Sequence, residues 1–213
     1  MPSDALPSRR YGPSILLALL LILMVALGLW SSRPPPPRKV DDPQPVIQAY
    51  RRGDPKDLLL ALPLRAGDEI RLVAEVPLEL KTSLFWSEPD GTLSELSPLD
   101  VRQSGKLLQV AHPILGPKPL SRSPGTKVAV FVCGPETPRF ADVATCLGVE
   151  PWPKLPSYFL IQFTRKGAEL TGPRGPKLPP SEVTAGIATR IQQAATRLAV
   201  RYPFFVGVAV PCE

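Results

Sequence analysis

The sequence predicts an α+β chain: an N-terminal transmembrane helix, then a mainly antiparallel β-sandwich-like domain with a C-terminal helix and strand. Three observations carry this expectation. An uncharged apolar run fills residues 11–32, apolar residues alternate with period two from Gly67 onward, and a helical stripe marks residues 182–201. Periodicities of two and 3.6 separate strands from amphipathic helices. The expected divisions are a tail at 1–10, a signal anchor at 11–32, a Pro-rich stalk at 33–45, a sandwich-like domain at 46–136 and an α/β tail at 137–213.

The apolar run is rich in Leu, Ile, Val, Ala and Met. At about 1.5 Å per residue, roughly 20 such residues span a hydrocarbon core of ~30 Å. Tyr11 and Trp30 stand near its ends, where amphipathic rings favour the headgroup zone. Arg9 and Arg10 precede it, and Arg33, Arg38 and Lys39 follow. These seven residues are the expected membrane-interface set, and the bilayer is the expected partner of residues 11–32. A cleaved signal peptide is a second reading, with Ala26-Leu27-Gly28 as its small-residue site. A buried core helix is a third, disfavoured because the run is apolar on every face. The flanking cations nearly balance, and the short N-terminal tail favours an extracytoplasmic domain on a single-pass chain.

After the anchor, Pro34-Pro35-Pro36-Pro37 favours an extended polyproline II spacer. Short helices are expected at 46–52 and 56–62. In residues 68–76, Ile70, Leu72, Ala74 and Val76 share one face, as in a half-buried strand. A second strand at 81–87 leads through Pro89-Asp90-Gly91, a turn triplet, into a returning strand at 92–96. Further strands are expected at 106–111 and 127–133, the latter apolar on both faces. A short helix at 138–147, a strand at 157–164 and a Pro/Gly loop at 172–180 follow. The helix at 182–201 carries Ile187, Ile191, Ala194, Leu198 and Tyr202 on one stripe, and 204–210 is the last strand.

Charge narrows the function classes. The formal net charge of the 213-residue chain is +6, but five of its 25 basic residues flank the apolar run. From Val40 onward 20 Lys and Arg face 18 Asp and Glu, leaving +2. No basic stripe is present, so no nucleic-acid partner is expected. Asn is absent, which removes any N-glycosylation acceptor.

Chemistry-bearing motifs are few. The chain has no Walker loop, no Gly-x-Ser-x-Gly and no His-Glu-x-x-His. Cys133 and Cys146 form a candidate disulfide for an oxidising compartment. The alternative is small, buried apolar thiols. Cys133 with the single histidine, His112, is a remote nucleophile–base pair. Those residues with Cys146 and Cys212 lack the close spacing of a zinc site. No catalytic residue, metal or cofactor is expected. Glu69, Glu75 and Glu79, and the stripe of Arg190, Arg197 and Arg201, read as solvated faces. Trp86 and Tyr158 read as core or rim aromatics.

A set of structural motifs carries a family resemblance. Ala66-Gly67-Asp68 leads into Ile70-Arg71-Leu72. Leu84-Phe85-Trp86, Pro89-Asp90-Gly91 and Leu96-Ser97-Pro98-Leu99 follow, and Pro124-Gly125-Thr126 precedes a Val-rich strand. Residues 65–134 thereby resemble a bacterial β-sandwich domain of unknown function. That domain is found beside serine/threonine kinases and caspase-like peptidases in planctomycetes and myxobacteria. The chain departs from it at Ser83 and Leu84, where Tyr is common. The resemblance implies an accessory or sensory module and assigns no functional residues. The expected role is a membrane-tethered, non-enzymatic binding or signalling module with a protein partner. The alternatives are a cell-envelope structural or secretion-assembly component and, remotely, a Cys/His hydrolase.

Overall fold

A computed structural model describes residues 46–51, 54–56, 58–105, 107–113, 118–172, 175–176 and 182–213. All of them belong to one compact unit, Pro43–Glu213. The expected tail, anchor and stalk, with Arg9, Arg10, Tyr11, Trp30, Arg33, Arg38 and Lys39, lie outside the described residues. Among the described residues, no helix is long and apolar enough to cross a membrane.

Two antiparallel sheets form the frame. The first contains β1 (Val46–Arg51), β2 (Asp54–Lys56), β3 (Glu69–Pro77), β6 (Asp100–Ser104), β7 (Leu107–His112) and β8 (Lys118–Pro119). Its order is β2-β1-β3-β7-β6, with β8 also on β3. The second contains β4 (Lys81–Ser87), β5 (Leu93–Leu96), β9 (Gly125–Gly134), β10 (Leu160–Thr164), β11 (Gly167–Gly172), β12 (Gly175–Pro176) and β13 (Phe204–Cys212). Its order is β12-β11-β10-β13-β9-β4-β5. The helices among the described residues are α1 (Leu58–Ala61), α2 (Phe140–Leu147) and α3 (Glu182–Arg201). The α+β, sandwich-like architecture with its C-terminal helix and strand is thus as expected. The β9–β13 ladder joins residues from either side of the expected division at 136/137 in one sheet.

Strand parity builds two cores from one sheet, because successive side chains point to opposite faces. On β9, Ala129, Phe131 and Cys133 turn inward with Leu84, Trp86 and Val208, against Ile70, Leu72 and Val76 of the first sheet. Val128, Val130 and Val132 turn outward with Phe85, Phe163 and Phe205. There Val143, Cys146 and Leu147 of α2 cover them, together with Ile187, Ile191 and Leu198 of α3. This explains why residues 127–133 are apolar at almost every position. It also overturns the candidate disulfide: Cys133 and Cys146 occupy different cores on opposite faces of the sheet, and all three thiols are free.

Two corrections concern local structure. Residues 46–51 form β1 instead of the expected helix, pairing with β3 from Val46 opposite Val73 to Tyr50 opposite Glu69. The Val, Ile and Tyr of this short segment suit a strand, and the open edge of β3 supplies its hydrogen-bond partners. The arginine stripe is only partly solvated. Arg201 pairs with Asp142 of α2. Arg190 donates to the carbonyls of Glu150 and Pro151 and stacks 4.0 Å from the Trp152 ring.

Candidate functional site

The site lies at one end of the inner core, where a charged residue enters a central strand. Lys127 follows Thr126 on β9, between β13 and β4. The register of β4 with β9 runs from Lys81 opposite Gly134 to Ser87 opposite Val128. One step further, Glu88 falls opposite Lys127 on the inward-facing side. Lys127 is 0% exposed, and its Nζ lies 2.6 Å from Glu88 Oε2. Lys127 also donates to Ser121 Oγ. Ser121 in turn donates to Glu88 Oε2 at 2.9 Å, and Trp86 Nε1 donates to Glu88 Oε1 at 2.9 Å. The buried ammonium therefore has both a charge partner and a hydroxyl acceptor, as a desolvated cation requires.

Glu88 follows the last residue of β4 and opens the hairpin turn. Gly91 N–H donates to Glu88 carbonyl at 2.9 Å, and Glu88 N–H donates to Thr92 carbonyl at 2.9 Å. Gly91 takes φ +88°, the left-handed position of a three-residue hairpin loop. Asp90 Oδ1 accepts Thr92 N–H at 2.8 Å, and this bond holds the Asp90 carboxyl below its usual range. The turn is pinned from outside as well, because Trp152 N–H donates to Pro89 carbonyl at 2.9 Å and Trp152 Nε1 donates to Ser87 Oγ at 2.8 Å. Burial acts against the charged form of Glu88. The hydrogen bonds from Lys127, Trp86 and Ser121 outweigh it, and the Glu88 carboxyl is held below the usual carboxylate range.

A cavity of about 350 Å³ opens beside this network. Leu72, Leu96, Leu120 and the Trp86 indole supply apolar wall, while Glu88, Ser94, His112 and Ser121 supply polar wall. His112 Nδ1 lies 3.3 Å from the Pro98 carbonyl. Lys127 does not line the cavity, but its two hydrogen-bond partners, Glu88 and Ser121, do. A second cavity of about 510 Å³ lies on the far side of Leu96, between Leu80, Leu99, Val101 and Leu108.

Between the two cavities runs the free edge of the second sheet. The bond between Glu88 and Thr92 fixes the alternation of the β4–β5 ladder. The pairs Trp86–Ser94 and Leu84–Leu96 then carry the cross-strand bonds, and the backbone groups of Leu93 and Glu95 point away from the sheet. Among the described residues, no other strand pairs with β5.

A serine within reach of a lysine is one signature of an activated nucleophile. That chemistry needs an amine free to accept the hydroxyl proton, whereas Lys127 Nζ is engaged with Glu88 Oε2 at 2.6 Å. Glu88, held below its usual range, is also a weak base. In this arrangement the Ser121 proton is directed to Glu88, and Ser121 Oγ accepts from Lys127.

The remaining sequence candidates do not converge. Cys133 lies opposite Thr82, four positions along β4 from Trp86 and so about 13 Å from the cavity level. Its Sγ is 3.2 Å from Thr82 Oγ1, and burial pushes the thiol up to about 12. Cys212 is likewise pushed up to about 12 by burial, and burial also raises Cys146. Among the described residues, no three His, Cys, Asp or Glu side chains gather at metal-binding distance. Trp86 is a core aromatic that reaches the cavity wall, whereas Tyr158 is exposed. Glu88, Ser121 and Lys127 escaped the sequence reading. The available signal was Lys127 itself, a charge inside Gly125–Gly134, whose neighbours are nearly all apolar.

Comparison with known proteins identifies no relative: no family model, curated protein or solved structure matches the chain.

Proposed function

We propose that this chain is a membrane-tethered binding module without catalytic chemistry of its own, held extracytoplasmically by residues 11–32 on the stalk at 33–45. It recognises a protein partner by strand addition to β5. The supporting observation is the edge itself: Leu93 and Glu95 direct backbone groups outward while a cavity lies on either side of Leu96. Strand addition takes affinity from main-chain hydrogen bonds and specificity from alternate side chains, which here would enter the two cavities. The tether raises the local concentration of the module at the bilayer. The resemblance to domains found beside kinases and caspase-like peptidases makes such a signalling protein the first partner to test.

Two experiments test this reading. Reporter fusions at the C-terminus, active only on one side of the membrane, fix the topology; a cytoplasmic domain would reject the extracytoplasmic assignment. A photo-crosslinker at Glu95 in the full chain is expected to capture a discrete partner, and one at Gln192 on the exposed side of α3 is not. Glu95→Pro removes one outward N–H and leaves the β4–β5 bonds in place. It is expected to abolish binding of that partner. Equal capture at both positions, or full binding by Glu95→Pro, refutes strand addition.

A further inference from the structure

The cavity beside Glu88 has an unequal set of hydrogen-bonding capacities. Each carboxylate oxygen accepts about two hydrogen bonds. Glu88 Oε2 already takes two, from Ser121 and Lys127, and Oε1 takes one, from Trp86. Oε1 therefore keeps one acceptor position. Ser121 spends its proton on Glu88 and accepts from Lys127, so its remaining capacity is also that of an acceptor. A ligand reaching this wall must bring a donor.

Charge then selects among donors. Glu88 and Lys127 form a pair with no net charge, and Lys127 is sealed behind Glu88. An anionic ligand would meet the carboxylate edge without reaching the ammonium. A cationic ligand would have to share a carboxylate already bound at 2.6 Å and would approach a like charge. A neutral donor avoids both penalties. Of the rest of the wall, Ser94 and His112 are polar, while Leu72, Leu96, Leu120 and Trp86 favour an apolar body. At about 350 Å³ the cavity is at the small end of ligand sites.

We propose that this cavity binds a small neutral molecule with an apolar body and one O–H or N–H donor, of the alcohol, phenol or indole class, through Glu88 Oε1. The proposal rests on reading the open seam of the sandwich as a recognition surface, and it supplies that surface with a small-molecule input beside the partner strand.

The test uses the full chain in lipid nanodiscs, with empty nanodiscs as the baseline for partitioning. Phenol, indole, benzoate and benzylammonium are compared by saturation-transfer NMR and by the rise in Tm. Phenol and indole are expected to bind at least tenfold more tightly than either charged probe. Ser94→Phe fills the mouth from an exposed position on β5. It is expected to weaken phenol and indole at least tenfold with an unchanged Tm in the absence of ligand. Equal affinity across the four probes, preference for a charged probe, no binding at all, or full binding by Ser94→Phe overturns the proposal. Partner capture at Glu95 in the parent chain, when phenol and indole fail to bind that chain, keeps the strand-addition reading and removes only the ligand. Loss of capture with ligand binding intact does the reverse.

Discussion

Replacing Glu88 by Gln keeps the shape of the side chain and removes its charge. Lys127, 0% exposed, then keeps its ammonium in the core with only dipoles to face it. At 2.6 Å and an effective dielectric of 20, the Coulomb attraction lost is about 6 kcal/mol. The amide oxygen recovers part of that as a hydrogen bond, and Glu88 no longer has a charge to desolvate. Removing one partner of a buried pair costs about 3–5 kcal/mol in such cases. For a unit of this size, about 3 °C per kcal/mol converts that to a fall in Tm of about 9–15 °C. The double variant Glu88→Gln/Lys127→Met removes both charges and leaves an apolar chain of similar length. It is expected to return to within about 1 kcal/mol of the parent, because an apolar replacement of a buried pair is often neutral or better. Thermal and urea unfolding of the full chain, followed by near-UV circular dichroism, measures both. A loss below 1 kcal/mol in Glu88→Gln, or a double variant no more stable than the single one, would refute the role given to this pair.

The same carboxylate sets an acid limb. Its folded pKa lies below the unfolded value, so its contribution is complete above about pH 4.5 and is lost as pH falls through the lowered folded value; Glu88→Gln should flatten this part of the stability–pH curve. All three thiols are buried, with Cys133 and Cys212 pushed up to about 12, so a thiol reagent at pH 8 should titrate none in the native chain and three after guanidinium is added. Gly91→Ala puts a Cβ 2.5 Å from the carbonyls of Val149 and Glu150 at φ +88°, and should cost about 2 kcal/mol or more in a denaturant titration.

The parts legible in the sequence are those where one residue's environment repeats along an element. Helix α3 is legible from Glu182 to Arg201 because its apolar stripe is kept over several turns. Strand β3 is legible from its alternation, and β4 and β9 from aromatic or Val-rich runs next to turn residues. Strand β1 differs from the expected helix because a six-residue segment with only two polar residues, Gln48 and Arg51, fits either period, and the edge of β3 decides. Strand β6 left no signal, since its sequence Asp-Val-Arg-Gln-Ser is polar and largely exposed at a sheet edge. The site was illegible for a different reason. Glu88 and Lys127 are 39 residues apart, and Glu88 and Ser121 are 33 apart. The β4–β9 register brings the first pair together, and the pairing of β8 with β3 carries the chain to Ser121. The Arg190 clamp on Trp152 joins residues as far separated, and no local pattern marks it.

The place of Lys127 bears on what the cavity is for. Toward its other end, β9 fills the inner core with Ala129, Phe131 and Cys133, and nothing there calls for charge. A Met at position 127, with Gln at 88, is expected to serve folding about as well as the ion pair does. Stability alone therefore gives no reason for a charged pair at this end of the strand. Recognition does give one: without Lys127, a carboxylate at the cavity wall would act as a bare anion and favour cations. With Lys127 behind it, the wall presents an acceptor without net charge. The double variant Glu88→Gln/Lys127→Met separates these roles. Parent-like stability with lost preference for phenol and indole over benzylammonium assigns the pair to recognition, whereas a retained preference assigns the selectivity to the apolar wall and removes Glu88 from the proposal.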